Sequence, residues 1–525
     1  MSINRKTRTV AALGGGTAAL AMLTGLAGAR ADDLQLNQQL LNTRVDQLAA
    51  VGQQPGAGAV FSVDPNPAAG APVTAGSFPR SILIPGTDTS LRVYGQITEV
   101  MDYFLSGGPV NGSPQSTTVG ATGAIESAPL PNTVARARSN GIFQQSPRES
   151  RIGFETRTPT PFGEARTVME FDWAGSTTFA PGGANPTGIS DSLVPRLRYA
   201  YGTLGGFLAG QATSNFADPD ANGEVIDFGG NVGEPGHVRV PQVRYTMPAY
   251  WGTSLSFSAE TPSTQIATGA GLEASDAGVT PTATTTCTVT AIGVATTCST
   301  SVLTSGVTPL NPAKASAPDF TAAWYWPQQW GHLDFSAVLR PGIDMTDGRY
   351  FSKQFVGYGG HFGIDFKPGW FGWAKDDFIL HFTGGEGIGT YLNASTNFSL
   401  ATNYGAPGMY GSFGGPTTAA AAALIRATTT QELGGEIGYQ HWWRDNLRSN
   451  INAGWEAHNG IPIKLVGAAQ AASINKELIT AHANLIWNPV SFVDVGLEYM
   501  WGQRTVLNNT TATQNVLISE FKFRF

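Results

Sequence analysis

The sequence predicts an all-β fold: a sixteen-stranded antiparallel transmembrane β-barrel with a short N-terminal helical, coiled-coil extension. Three observations carry that prediction. Segment after segment alternates apolar and polar residues with a period of two, which gives a strand two unlike faces. The connections between these segments alternate long and short along the whole chain. The chain also begins with an export signal yet holds no later apolar run of spanning length, and a closed barrel is the way such a chain crosses a membrane.

Residues 1–31 read as a secretory signal peptide. Arg5, Lys6 and Arg8 open it without an acid, 10–28 is apolar and small, and Ala29-Arg30-Ala31 forms a cleavage site. Removing it takes away four bases and no acid, so the formal charge moves from −7 to −11 and no nucleic-acid partner is expected. Beyond residue 31 the longest candidate, 419–424, falls far short of the roughly 20 residues a spanning helix needs. Only 13% of residues are charged, low for a soluble chain of 525 residues.

Residues 32–50 carry Leu34, Leu41 and Leu48 seven apart, with Gln38 and Val45 between them and Asp32 and Asp33 at the positive end of the helix dipole. So short a heptad holds together only where a larger body already gathers the chains, which points to an oligomer. An amphipathic helix packed on its own domain is the competing reading. Residues 51–85 follow as a linker, with Pro55, Pro65, Pro67, Pro72 and Pro79 among Gly and Ala.

The barrel is expected over 86–525. Its strands are read at 91–105, 149–157, 164–174, 194–203, 206–213, 238–247, 252–261, 319–327, 331–340, 355–366, 376–386, 431–442, 447–458, 476–487, 491–502 and 515–525. In 164–174, Thr167, Met169, Phe171 and Trp173 share one face, while Arg166, Glu170 and Asp172 share the other. In 491–502, Val495, Leu497, Tyr499 and Trp501 oppose Asp494 and Glu498. The shortest of the long connections has 12 residues and the longest of the short ones has 9, as an up-and-down barrel with tight turns at one end predicts. Tyr250-Trp251, 324–330, 370–373, Trp442-Trp443, Trp487 and Trp501 collect aromatics at strand ends, where an interfacial girdle belongs. The chain closes on Phe521, Phe523 and Phe525 alternating with Glu520, Lys522 and Arg524, a last strand placed to pair with the first.

Half of the twenty arginines beyond the signal peptide lie in 136–244. Arg148, Arg151, Arg157, Arg166, Arg196, Arg198, Arg239 and Arg244 are the candidate pore-lining, anion-binding residues, because a guanidinium stays charged and grips carboxylate or phosphate with a two-point fork. The loop 214–237 carries Asp218, Asp220, Glu224, Asp227 and Glu234. Folded into the lumen, its acids would face the arginines across a constriction. Lumenal salt bridging that stiffens the barrel is the alternative role for both sets. Cys287 and Cys298 are the sole cysteines and fit a local disulfide in an oxidising compartment. The seven histidines are scattered without metal-ligand spacing, and neither a nucleophile elbow nor a phosphate loop occurs. No catalytic residue, metal or cofactor is therefore expected.

Several stretches resemble the DcaP-like outer-membrane porins of proteobacteria. They are Ile84-Pro85-Gly86-Thr87-Asp88-Thr89-Ser90-Leu91, Ser150-Arg151-Ile152-Gly153-Phe154-Glu155-Thr156-Arg157, Leu197-Arg198-Tyr199-Ala200-Tyr201-Gly202, Leu208-Ala209-Gly210-Gln211 and Pro241-Gln242-Val243-Arg244-Tyr245-Thr246. The resemblance is clearest over 80–260. It implies a homotrimeric porin with a periplasmic N-terminal extension that passes small organic anions such as dicarboxylates. It also implies contact with outer-membrane lipid and lipopolysaccharide, and handling by the outer-membrane assembly machinery through Phe525. A general non-selective porin, a barrel enzyme and a non-conducting structural or adhesin barrel are the competing functions.

Overall fold

The computed structural model describes residues 74–109, 125–175, 194–235, 238–267, 282–291, 294–303, 312–392, 398–404 and 419–525. The expected signal peptide, the heptad segment and the linker up to residue 73 lie outside the described residues. Sixteen strands form the wall. They are β1 (Ser90–Ser106), β2 (Arg151–Thr160), β3 (Gly163–Asp172), β4 (Arg196–Leu204), β5 (Phe207–Thr213), β6 (Arg239–Pro248), β7 (Ser254–Glu260) and β8 (Asp319–Gln328). There follow β9 (Gly331–Thr346), β10 (Ser352–Phe366), β11 (Asp377–Glu386), β12 (Gln431–Arg444), β13 (Leu447–Asn459), β14 (Asn475–Val490), β15 (Val493–Val506) and β16 (Thr511–Arg524).

Each strand pairs antiparallel with its neighbour in sequence, and β1 pairs with β16 from Gln96↔Arg524 to Ser106↔Asn515. The sheet is therefore closed, and no edge is left to bind another chain. The upper part of β1 is covered by the five-residue strand Ile142–Ser146 before β2 takes over at Arg151. The second strand is thus broken at 147–150, where Pro147 interrupts the ladder.

The faces are inverted relative to a soluble sheet. Val93, Ile97, Phe154, Met169, Phe257, Leu380, Ile451 and Leu497 are exposed on the outside. Thr98, Glu155, Arg166, Asp172 and Glu498, on alternating positions of these strands, are buried within, as are Arg244 of β6 and His482 of β14. One end carries tight turns ringed by exposed aromatics: Phe162, Trp370, Trp373, Trp443, Trp487, Phe492, and Tyr250 and Trp251 at 87% exposure each. The loop-length rule needs one correction. The β9–β10 and β15–β16 connections shrink to 347–351 and 507–510, while the tight-turn link 367–376 runs to ten residues. The paired strands continue past the expected ends, as Thr346↔Ser352 and Thr505↔Thr511 show, because the ladder satisfies backbone groups that a loop would leave to water.

The seam between β16 and β1 depends on a glycine. Phe525 donates its N–H to Gly95 O at 3.0 Å and receives Gly95 N–H at 3.2 Å. A Cβ at position 95 would run into Arg151 O and the Phe525 ring. Gly95→Leu is therefore expected to lower the temperature at which the band on semi-native gels shifts from folded to unfolded, and removal of Phe525 to lower it as well. An unchanged shift in both would disprove a role for this contact in closure.

Candidate permeation constriction

The segment 214–235 leaves the end of β5 and runs along the inside of the barrel. Ser214 Oγ and Asn215 N–H donate to Glu260 of β7 at 2.7 and 2.8 Å. Ser336 of β9 donates to Phe216 O, and His332 Nε2 meets Asp218 Oδ2 at 2.8 Å. Glu224 accepts a fork from Arg448 of β13, at 2.7 Å from Nε and 2.5 Å from the far nitrogen. Glu498 of β15 accepts Ile226 N–H at 2.8 Å and Asp227 N–H at 3.3 Å. The chain then returns, with Asn231 donating to Glu436 at 2.6 Å and Gly233 N–H to Glu456 at 3.1 Å. Ile226 and Val232 bury against Ile486, Met500 and Ile518 of the wall. The loop therefore lines the lumen from β7 round to β15, fixed by wall groups at most of its turns.

Three of the five expected constriction acids bond to that lining wall. Asp218 and Glu224 are taken up by His332 and Arg448. Asp227 Oδ1 accepts Gly229 N–H at 3.2 Å within the loop, while Glu234 accepts Asn231 N–H at 3.0 Å and also shares a hydrogen bond with Glu436 of the wall. Asp220 sits in the short helical turn Pro219–Ala221. The loop tip reaches the opposite side through Phe228, whose ring centre lies 5.5 Å from the Arg196 guanidinium carbon.

The arginine wall falls into two ion-paired groups and a remainder. Glu155 is enclosed by Arg92, by Arg157 at 2.7 Å and by Arg166 at 2.9 Å. Asp172 and Glu170 hold Arg198 at 2.9 and 2.8 Å, and Asp172 also holds Arg196 at 2.6 Å. Arg244 spends its donors on Gln242 Oε1 and Thr213 O, and Arg239 lies over the Tyr199 ring at 5.3 Å. Arg148 sits in the break before β2 and accepts Trp173 N–H on its carbonyl. Arg151 differs from all of these. Its Nε is buried without a hydrogen bond, and its side chain makes no ion pair among the described residues. The charges of Arg198 and Arg239 act on it together with those of Glu170 and Glu149.

Three arginines outside the expected set organise the lumen. Arg92 joins the Glu155 group, and Arg448 receives Glu224. Arg340 is fully buried; it pairs with Asp319 at 2.9 Å and donates to Gly387 O, Ile388 O and Ser399 Oγ, and to Ser263 O. One side chain thereby ties down parts of both long connections, 261–318 and 387–430. Its inward position was readable from strand alternation, but its partners lie 21 to 77 residues away in the chain.

A closed inside-out barrel narrowed by one loop and lined by charged side chains has the form of a solute channel. The sequence agrees, because residues 82–501 match the model of the porin subfamily. The chain belongs to the porin subfamily. Among solved structures, this porin is similar to the outer membrane channel DcaP of Acinetobacter baumannii. That likeness has a TM-score of 0.58 at 20% identity and covers 86% of this chain and 100% of that one. Similarity also extends to the anion-selective porin from Comamonas acidovorans, with TM-score 0.43 and 8% identity over 83% of this chain and 100% of that one. OmpT of Vibrio cholerae gives TM-score 0.42 and 8% identity over 84% and 100%. No curated protein matches the porin. Family and fold thus make it an outer-membrane porin, a channel rather than an enzyme.

Proposed function

We propose that this porin passes small hydrophilic solutes by passive diffusion and favours organic anions, dicarboxylates among them. The observation that carries the anion preference is Arg151, a guanidinium in the lumen that makes no ion pair among the described residues and lies within the field of Arg198 and Arg239 as well as of Glu170 and Glu149. Fixed positive charge lowers the energy of an anion in a narrow lumen and raises that of a cation. A carboxylate at Arg151 would meet a guanidinium whose Nε is buried without a hydrogen bond.

Purified protein in planar bilayers tests the reading. Stepwise conductance with a reversal potential on the anion side under a salt gradient is expected. Absence of steps would remove the channel, while a reversal potential at zero or on the cation side would remove only the anion preference. In this reading the tight turns and the described segment before β1 face the periplasm. The porin is a homotrimer in the outer membrane, in contact with lipid and lipopolysaccharide, and the assembly machinery recognises it through Phe525. Cross-linking in membranes that yields only monomer would rule out the trimer.

The disulfide is part of the same proposal. The hairpin formed by 282–291 and 294–303 places Cys287 opposite Cys298 in its backbone register, as a bridge between neighbouring strands requires. Peptide mapping without reductant is expected to recover the two cysteines as one linked species. Quantitative alkylation of both thiols in the secreted protein would refute it.

A further inference from the structure

Parts of two long connections meet at the long-loop end and form a small sheet of their own. Its strands are Ile266–Ala267, Leu400–Thr402 and Ala427–Thr429, the first two parallel and the last two antiparallel. Neighbours in a strand point to opposite faces, and here the two faces meet opposite sides of the barrel mouth. Ile266 and Leu400 bury against Ile343 and Met345 near the end of β9, with Phe355 of β10 packed beside them. Ala267 and Ala401 bury against Val466 and Ile474 of the β13–β14 link and Leu507 of the β15–β16 link. The small sheet therefore bridges the mouth from β9 to β15. Arg340 holds it from below through Ser263 O and Ser399 Oγ, and Ser399 N–H donates to Gln265 O at 2.8 Å. Arg504 of β15 extends the bridge, donating to Ala128 O at 3.0 Å and to Ser473 O at 2.7 Å.

We infer that this sheet is a cover that seals the mouth over β9 to β15, so that solutes enter along β2 to β6, past Arg196 and Arg151. Solvent access on the two sides agrees with that division. Glu432, Glu456 and His458 project inward from β12 and β13 directly below the cover, and all three are buried to within 1%. Arg196, at the same end of β4, has a side chain 40% exposed. Arg151 lies at its level, since both are ladder partners of Asp172. The buried apolar cluster on β3 to β5, namely Val168, Tyr199, Tyr201, Leu208 and Ala212, holds wall residues alone. No loop residue packs into it as loop residues do into the clusters under the cover.

The cover has a consequence for selectivity. The wall beneath it is acidic, with Asp334, Glu432, Glu436, Glu456 and Glu498 on its inner face. A water-filled course along that side would favour cations, because inward carboxylates stabilise them as inward guanidinium groups stabilise anions. The constriction loop lines the same side from β7 round to β15. Cover and loop together keep solutes off the acids and leave the arginine side as the open course among the described residues. Leu400 and Ala401 thus set selectivity without touching a solute. The inference rests on the proposed function for the passage of solutes and for the outward position of the long-loop end.

The test uses the full chain in intact cells, with Cys287 and Cys298 changed to Ser and one new cysteine introduced at a time. The probe is sulfonatoethyl methanethiosulfonate, an anionic thiol reagent that does not cross lipid. Arg196→Cys is expected to react to completion in a period that leaves His458→Cys unreacted. Adding Leu400→Asp, which puts a charge into the apolar core of the cover, is expected to make His458→Cys reactive while the thermal gel shift still reports a folded barrel. Thr383→Cys of β11, also buried on the covered side, repeats the measurement if His458→Cys does not fold. Equal reaction at Arg196→Cys and His458→Cys in the intact cover would overturn the inference, and so would failure of Leu400→Asp to expose either covered site. The trimethylammonium analogue tests the anion preference separately, since equal rates of the two reagents at Arg196→Cys would remove that preference while the contrast between sites still decides the cover.

Discussion

Arg151→Ala is expected to lower the anion-over-cation permeability ratio about tenfold, the equivalent of about 1.4 kcal/mol, while leaving the barrel at least as stable. Both halves of that result follow from the missing partner. Removing the guanidinium takes away a charge that acts on a passing anion at close range in a lumen of reduced dielectric. It strands no acid, because no acid is paired with it among the described residues. It removes the repulsion exerted by Arg198 and Arg239 together with the attraction of Glu170 and Glu149, and the buried Nε no longer lacks a partner. Arg198→Ala should behave in the opposite way. Glu170 loses its paired guanidinium and Asp172 keeps only Arg196, so about 3 kcal/mol of stability is expected to be lost. Reversal potentials and thermal gel shifts on the two variants separate the roles. Equal loss of selectivity, with equal loss of stability, would show that Arg151 is one more wall residue.

Excising 218–234 and bridging the ends with glycines is expected to raise single-channel conductance severalfold while the protein still inserts as a folded barrel. The loop occupies the lumen from β7 to β15, so its removal widens the narrowest section. The wall ladder is complete without it, since β5 and β6 pair directly from Phe207↔Tyr245 to Thr213↔Arg239. The wall groups it covers, His332, Arg448, Glu498 and Glu436 among them, become hydrated and no longer need a partner. Unchanged conductance would place the narrowest section elsewhere, in the segments Ile125–Ala128 and Leu400–Thr402 that pack toward the long-loop end.

A conservative pair of variants would refine both results. Arg448→Lys keeps the charge near Glu224 but loses the fork that takes both carboxylate oxygens, so the loop should loosen without a change in net lumenal charge.

How far the sequence could be read depended on distance along the chain. Strand faces were legible because the pleat sends neighbours to opposite sides, so Leu497 and Tyr499 outside with Glu498 inside needed only three adjacent residues. Closure was legible too, because an even number of strands brings β16 back beside β1, and the two pair as expected, with Gly95 and Phe525 meeting at the seam. The ends of β9, β10, β15 and β16 were misjudged, since ladders run on wherever two strands remain in register. The lumenal charges were legible as inward, and salt bridging among them only as an alternative without named pairs. Arg157 and Arg166 looked like members of an anion ladder, and both are occupied by Glu155.

By itself the sequence determined an exported, sixteen-stranded barrel with apolar residues outside, charges inside and aromatics at the turns. Those are properties of a period of two and of connection length, which the chain states locally. Only the tertiary structure decided that the constriction loop lies on the wall from β7 to β15, that Arg340 ties two distant loops together, and that Arg151 makes no ion pair among the described residues. The physical reason is that a charge is defined by its partner, and Glu224 finds Arg448 only after 224 residues of chain have closed into a ring.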